Sequence, residues 1–220
     1  MKAIDKLKLK QIRKNIFHIS FPNQYLICAT FLRLQEFYES PYKEIQGHSF
    51  SLETIQDMYA EKHGNKFTYL QDWSGFNIPD YVIKKFFKQF NGKLLVKESQ
   101  LKKLIQKKIL NNPDKTYLIA TYNQRDEAHE ISHGYWYLES DYKTMMKELV
   151  ENYKYKKMLM LYLKRAGYPK KVMYDEIQAY MSTSTYTGLR NILSLPKNWK
   201  YTSSFKRVFK EFDKKHKPGK

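Results

Sequence analysis

The chain reads His129-Glu130-Ile131-Ser132-His133 in its second half. On a helix, two histidines four residues apart lie one turn apart on the same face, so both imidazole rings can reach one metal ion. Glu130 lies about 100° around the helix from His129, where its carboxylate can take a proton from a water molecule that the ion activates. These residue types and this spacing indicate a zinc-dependent hydrolase with two histidine ligands and Glu130 as its general base.

A catalytic zinc ion takes three ligands from the protein and keeps a further position open. In one common pattern a glycine and a histidine follow the second histidine by three and six residues, but Trp136 and Glu139 occupy those places. A carboxylate later in the chain is the other solution, and Glu176 offers one within Tyr174–Tyr180. Asp175 is the adjacent alternative. The sequence therefore predicts one zinc ion held by the two histidines and Glu176.

The motif needs a helix that follows a strand. Tyr117–Tyr122 is β-branched, aromatic and uncharged, which predicts a strand, and the helix that follows should end near Leu138. In zinc peptidases an edge strand at this place holds an extended substrate by β-augmentation, so we expect an edge strand here. A long helix over 141–165 and another over 170–181 would return Glu176 to the histidines.

Helices dominate the rest of the pattern. The run over 24–38 is apolar on every side, which predicts a buried helix, and its charged residues Arg33, Glu36 and Glu39 either line a cleft or form ion pairs. The other predicted elements are strands over 16–20 and 67–70 and helices over 51–62, 79–90 and 101–110.

We therefore expect an α+β fold, with a helix-dominated, zincin-like metallohydrolase domain over 1–194 and a small mixed sheet. Residues 195–220 form a basic C-terminal tail. The tail carries an apolar stripe at helical spacing, which we expect to pack on the body of the protein: Phe205, Val208, Phe209 and Phe212.

The composition excludes several classes of protein. Hydrophobic residues make up 42% of the 220 residues, too much apolar mass for a disordered chain. Lys or Arg interrupts every apolar run before the roughly 18 residues of a membrane span. The first 14 residues lack the apolar core of a secretory signal, and the single cysteine, Cys28, excludes an internal disulfide. We expect a cytoplasmic protein, in a host cell if the chain is viral.

The chain is strongly basic. Forty Lys and Arg residues against 22 Asp and Glu residues give a net charge of +18. Such an excess is typical of proteins that bind nucleic acid or another polyanion, but the coding bias of an AT-rich genome produces the same excess, and here the charges are scattered along the chain. The expected partners are a peptide or protein substrate and, through the basic surface, a polyanion.

At this point the sequence resembles a family of small proteins of phages, giant viruses and bacteria. The resemblance covers 21–185 and rests on four blocks, Phe31–Tyr42, Asp72–Pro79, His129–Tyr137 and Asp175–Tyr180. More broadly the chain is similar to gluzincin-type zinc metallopeptidases. Members of the small family are sometimes labelled transporter ATPases, but this chain has no Gly-x-x-x-x-Gly-Lys-Ser/Thr segment to hold a triphosphate.

The resemblance implies the same three ligands and the same base. It also shows one departure, because gluzincins have an aspartate four residues after the ligand glutamate, where it supports a ligand histidine, and this chain has Tyr180 there. Asp126 or a backbone carbonyl would then have to support the histidine.

Some alternatives stay open. Tyr180 and Tyr186 are candidate donors to the oxyanion that forms when water attacks a carbonyl, or they serve only in packing. The main alternative function is a basic nucleic-acid-binding protein on an inactive zincin shell. A third is a zinc hydrolase of non-peptide amides.

Overall fold

The structure, a computed structural model, describes residues 4–123, 127–166, 168–184, 188 and 203–217. The chain divides into two compact units, Met1–Glu127 and Ala128–Lys220. The predicted boundary between the domain and its tail, at 194/195, lies outside the described residues.

In its described residues the first unit contains a four-stranded sheet, five α-helices and a short 3-10 helix over Ile4–Lys6. The strands are β1 (Leu9–Arg13), β2 (Ile16–Ser20), β3 (Gly75–Pro79) and β4 (Tyr117–Thr121). The helices are α1 (Gln24–Glu39), α2 (Leu52–Lys62), α3 (Tyr69–Asp72), α4 (Asp80–Gln89) and α5 (Val96–Ile105), which continues as a π-helical turn over Gln106–Leu110. This mixture of helices and one small sheet confirms the predicted α+β class.

The strand order is β1-β2-β4-β3, with β2 and β4 parallel and the other pairs antiparallel. The expectation that Tyr117–Tyr122 forms an edge strand is therefore wrong, because β4 has a neighbour on both sides. All five residues of β4 are buried, and a strand with no charged residue suits the centre of a sheet. The described edge strands are β1 and β3.

Helix α1 lies at the centre of the first unit. It begins after Asn23, whose side chain accepts a hydrogen bond from the Leu26 backbone N–H, and ten of its 16 residues are buried. Its predicted burial is confirmed. Arg33 forms a buried ion pair with Glu98 of α5, and burial raises the pKa of Glu36.

Two predicted elements differ in the structure. Residues 67–70 were predicted as a strand, but Tyr69–Asp72 forms the one-turn helix α3, in which the Thr68 hydroxyl donates to the Asp72 carboxylate over 2.6 Å. The predicted long helix over 141–165 is interrupted at 152–155, where Asn152, a weak helix former, ends the first segment.

The second unit is helical in its described part. Its helices are α6 (Glu127–Leu138), whose first residue belongs to the first unit, α7 (Ser140–Glu151), α8 (Lys156–Arg165), α9 (Met173–Thr183) and α10 (Ser204–His216). Among the described residues, no helix combines the length and the apolar character that a membrane crossing requires.

The apolar stripe of the tail packs within the second unit, as predicted. Phe205 and Val208 of α10 are buried, and α10 contacts both α7 and α9. The Phe212 ring meets Tyr142 of α7 edge-on with centroids 5.1 Å apart. At the end of α10 the buried His216 pairs with Glu139 over 3.0 Å. The C-terminal helix is therefore part of the core of this unit.

Candidate metal centre

The three predicted ligands come together in the second unit. Helix α6 supplies His129 and His133, and α9 supplies Glu176. The Nε2 atoms of the two histidines are 3.2 Å apart. The carboxylate oxygens of Glu176 lie 3.9 Å from the Nε2 atom of His129 and 3.8 Å from that of His133. One donor atom from each residue lies within 4.8 Å of the other two.

A buried glutamine holds the two helices in register. Gln178 of α9 is fully buried, and its side-chain amide donates to the Ser132 carbonyl of α6 over 3.4 Å and to the Asp175 carboxylate over 2.9 Å. Its carbonyl oxygen accepts a hydrogen bond of 2.7 Å from the Tyr142 hydroxyl of α7. Because Gln178 is two residues after Glu176, these bonds fix where the third ligand lies on the face of α6.

Asp175 supports the second histidine. Its carboxylate lies 2.8 Å from Nδ1 of His133, so it can accept the Nδ1 hydrogen and leave Nε2 to face the cluster. Asp126, the support proposed from the sequence, lies outside the described residues. The support of His133 therefore comes from the residue directly before the predicted ligand Glu176.

The pKa values of the two histidines are shifted in opposite directions. Burial alone would lower the pKa of His133, but the charges of Asp175 and Glu176 and the hydrogen bond from Nδ1 to Asp175 raise it to about 10. Burial and the adjacent His133 charge lower the pKa of His129 to about 3. At neutral pH the cluster therefore holds a proton on His133 and a neutral imidazole at His129.

Glu130, the predicted base, is buried beside the cluster. Only 7% of its surface is exposed. Its negative charge contributes to raising the pKa values of His133 and of two tyrosines, Tyr168 and Tyr180, so it faces the same space as the ligands. It is not one of the residues in the three-ligand cluster.

A pair of tyrosines completes the site. The ring of Tyr180, one turn after Glu176, lies 4.8 Å from the His129 ring between centroids. Burial raises the pKa of both Tyr180 and Tyr168, and the hydrogen bond between their hydroxyls acts in opposite directions, raising the pKa of Tyr168 and lowering that of Tyr180. The two hydroxyls therefore interact with each other beside the cluster. Tyr186, the other candidate, lies outside the described residues.

These residues fit a zinc ion. Tetrahedral zinc with bonds of about 2.0–2.1 Å places its ligand atoms roughly 3.3–3.4 Å apart. The two Nε2 atoms, at 3.2 Å, already have that spacing, and the Glu176 oxygens, at 3.8 and 3.9 Å, are within half an ångström of it. The donor set of two imidazoles and one carboxylate, with a second carboxylate behind one imidazole, suits this metal.

Sequence reasoning missed three parts of the site. Asp175 appeared only as an alternative ligand, and Gln178 and Tyr168 did not appear at all. In the segment Asp175-Glu176-Ile177-Gln178, two adjacent acidic residues are followed within one helical turn by an amide. This local signal could have indicated Asp175 and Gln178. Tyr168 is one of 19 tyrosines and carries no such signal.

No protein-family model, curated protein or solved structure matches this chain. The resemblance to gluzincin-type proteins accordingly stays a prediction. Support for a metal-dependent function comes from the geometry of the residues on α6 and α9.

Proposed function

We propose that the protein is a zinc-dependent metallohydrolase that cleaves peptide bonds. The observation that carries the proposal is the convergence of His129, His133 and Glu176, with Glu130 buried beside them and Asp175 holding one imidazole. Two histidines four residues apart on one helix are common. A third ligand from a second helix, with another carboxylate behind one of the histidines, requires a specific alignment of two helices.

His129, His133 and Glu176 would hold a zinc ion, which would supply a Lewis acid to polarise the scissile carbonyl and lower the pKa of water towards about 7. The chain's own residues handle the proton. Glu130 accepts it from the attacking water and delivers it to the leaving amine, which is why the reaction needs a carboxylate beside the ligands.

The surroundings of Glu130 favour this role. Its carboxylate is shielded from bulk water, and a shielded base does not exchange its proton freely with solvent before the amine receives it. In this proposal Tyr168 donates the hydrogen bond between the two tyrosine hydroxyls, which leaves the hydrogen of Tyr180 to be donated to the oxyanion of the tetrahedral intermediate.

The test compares two glutamates. Glu130→Gln should keep zinc at about one ion per chain and lose at least ~100-fold in peptide hydrolysis, because the amide preserves the shape and removes only the proton acceptor. Glu176→Gln should lose zinc affinity together with activity, since a neutral amide is a poor zinc ligand. Glu148→Gln, an exposed position on α7, is the matched control and should change neither.

Metal content by elemental analysis and turnover of a mixed peptide library are measured on the same preparations. Normal zinc in Glu176→Gln with reduced zinc in Asp175→Asn would make Asp175 the third ligand. Normal zinc in both variants would refute the metal site. A zinc-loaded parent that hydrolyses non-peptide amides but no peptide would restrict the proposal to its metallohydrolase part.

The tail helix favours a second candidate function, binding to a polyanion. The exposed residues Arg207, Lys210 and Lys214 recur at helical spacing on the face of α10 opposite its buried stripe. Reversing Arg207 and Lys214 to Glu leaves the packing of Phe205 and Val208 intact. It should weaken binding to a DNA duplex and make its salt dependence shallower. An unchanged salt dependence would remove α10 from the interface.

A further inference from the structure

The two faces of the sheet in the first unit differ in chemistry. Side chains alternate between faces along a strand, and Phe17, Ile19, Leu118 and Ala120 all belong to the apolar core of this unit. His18, between Phe17 and Ile19, points to the other face.

On that second face, polar residues meet across the strands. The register places Lys10 of β1 opposite His18 of β2, and Ser20 of β2 opposite Thr121 of β4. Polar side chains from three adjacent strands are thus gathered at one end of the sheet.

A cleft of about 430 Å³ opens there. Its lining includes Lys6, Lys8, Lys10, His18, Ser20 and Thr121. Ser20 and Thr121 are the last residues of β2 and β4, so the cleft lies at the carboxyl ends of the two parallel strands, the place where open α/β sheets bind their ligands. Its volume falls within the range of small-molecule sites.

The floor of the cleft is buried and hydrogen-bonded. His18 and Thr121 are 8% and 2% exposed, and the His18 Nε2 atom lies 3.0 Å from the Thr121 hydroxyl oxygen. On the other side of the ring, His18 Nδ1 lies 3.8 Å from the Glu127 carboxylate. Burial lowers the pKa of His18, with Glu127 opposing that shift and Lys10 adding to it, so the ring is neutral at physiological pH.

The walls of the cleft carry an excess of positive charge. Lys6, Lys8 and Lys10 are exposed, and within the described residues none of them pairs with a carboxylate. Glu127 is the acidic residue in the lining, and it faces His18. Three ammonium groups around a cleft with two hydroxyls at its base suit a compact dianion, while Glu127 can accept a hydrogen bond from a hydroxyl group of the same ligand.

We propose that this cleft binds a small sugar-type molecule carrying a phosphate monoester, with the phosphate on the lysine side and a ligand hydroxyl at Glu127. The site belongs to the first unit and contains no residue of the metal cluster. The proposal therefore goes beyond the proposed hydrolase and does not depend on it.

The test is calorimetric titration of the full chain at physiological ionic strength, with ribose 5-phosphate as the probe and ribose and orthophosphate as comparison ligands. Ribose 5-phosphate should bind at about one molecule per chain, more tightly than either comparison ligand. The double variant Lys8→Ala/Lys10→Ala should bind it at least ~10-fold more weakly, since two charge-assisted hydrogen bonds to the phosphate are lost. Lys107→Ala/Lys108→Ala removes the same charge from exposed positions at the end of α5 and should leave binding unchanged.

Glu127→Gln separates the two halves of the proposal, because it should weaken ribose 5-phosphate more than orthophosphate. Thermal unfolding of each variant shows that it is folded. Absence of saturable binding by folded parent protein would overturn the proposal, as would equal loss in the two lysine pairs. Binding of a single-stranded 20-mer DNA, but of no small phosphate, would overturn it in favour of a nucleic-acid surface. Failure of the proposed hydrolase would appear separately, as missing zinc or missing turnover in protein that still binds ribose 5-phosphate.

Discussion

Both compact units bury charged side chains between helices, but they satisfy those charges in opposite ways. In the first unit Arg33 donates from Nε to Glu98 over 2.8 Å and makes a second bond to it from Nη2. The same guanidinium donates to the carbonyls of Phe50 at 3.1 Å and Lys93 at 3.0 Å, and it lies 4.7 Å from the Phe90 ring centroid. Both charges of this Arg33–Glu98 pair are met by hydrogen bonds within the protein.

In the second unit the groups that converge are mostly acceptors. Two imidazole nitrogens and a carboxylate, from His129, His133 and Glu176, surround a common point. The single proton on His133 leaves more acceptor lone pairs than donor hydrogens in this group. The comparison separates structure from function. In the first cluster donors match acceptors, whereas the second has an excess of acceptors, which under the proposed function the metal ion would satisfy.

The largest expected effect breaks the first cluster. Arg33→Met should lower the free energy of unfolding by about 3–5 kcal/mol, because Glu98 is left buried without its partner. Urea unfolding measures the loss. The double variant Arg33→Met/Glu98→Leu should recover part of it, since no unpaired charge remains. Zinc content per folded chain should be unchanged in both variants, and a loss of zinc would mean that the two clusters are coupled.

Zinc itself tests the second cluster. Zinc at 1,000 times its Kd should raise the free energy of unfolding of the parent by about 4 kcal/mol, because only the folded chain presents the three ligands together. His133→Ala should remove most of this gain, and Arg33→Met should keep it on a lower baseline. An equal gain in His133→Ala would show that the ion binds elsewhere.

The metal-free protein should lose stability as the pH rises from about 6.5 towards 10. Asp175 and Glu176 hold a proton on folded His133 and raise its pKa to about 10, while the unfolded value is near 6.5. The stabilisation is complete below the unfolded value and disappears as the pH approaches the folded one.

Asp175→Asn should flatten this slope in chelator-treated protein, because it removes the strongest charge that holds the proton. Asp114→Asn, an exposed loop position, makes the same change in charge and should leave the slope as in the parent. A steep slope in Asp175→Asn would assign the proton to another group.

Features set by local sequence were predictable. Helical periodicity alone predicts that α1 is buried and that the two histidines share one helix, and the structure has both features. The position of Glu176 beside the two histidines could be predicted because the expected zinc site requires a third ligand. The central strand β4 was found as an element, but its place in the sheet was not, because strand order depends on pairing partners far away in the chain.

The features that were missed lie where local signals are weak. Strand β1 carries Lys10 and Arg13, and β3 begins at Gly75 and ends at Pro79. Charged residues, glycine and proline are tolerated in edge strands, but their low strand propensity hides such strands from a prediction based on sequence. The support of His133 by Asp175 was missed for a related reason, since it exists only once α9 lies against α6. The cleft beside His18 likewise needs three strands to be aligned before its charges meet.

The smallest expected effect concerns Tyr168, which interacts with Tyr180. Under the proposed function, Tyr168→Phe should keep full zinc and reduce kcat by about 2–10-fold, the equivalent of one neutral hydrogen bond. Tyr180→Phe, which removes the donor itself, should cost about 100-fold. Tyr155→Phe, at a half-buried position of the same unit, is the control for loss of a phenol hydroxyl and should leave kcat unchanged.

A double-mutant cycle distinguishes positioning from packing. If Tyr168 acts through Tyr180, its substitution should have no further effect on kcat in the Tyr180→Phe background, because the hydrogen bond that it donates then has no acceptor. Additive losses would instead mean that Tyr168 supports the helix packing generally. In that case the proton balance of the site would rest on Glu130 and Asp175 alone, and the contrast with the Arg33 cluster would hold without a third contributor from the tyrosine pair.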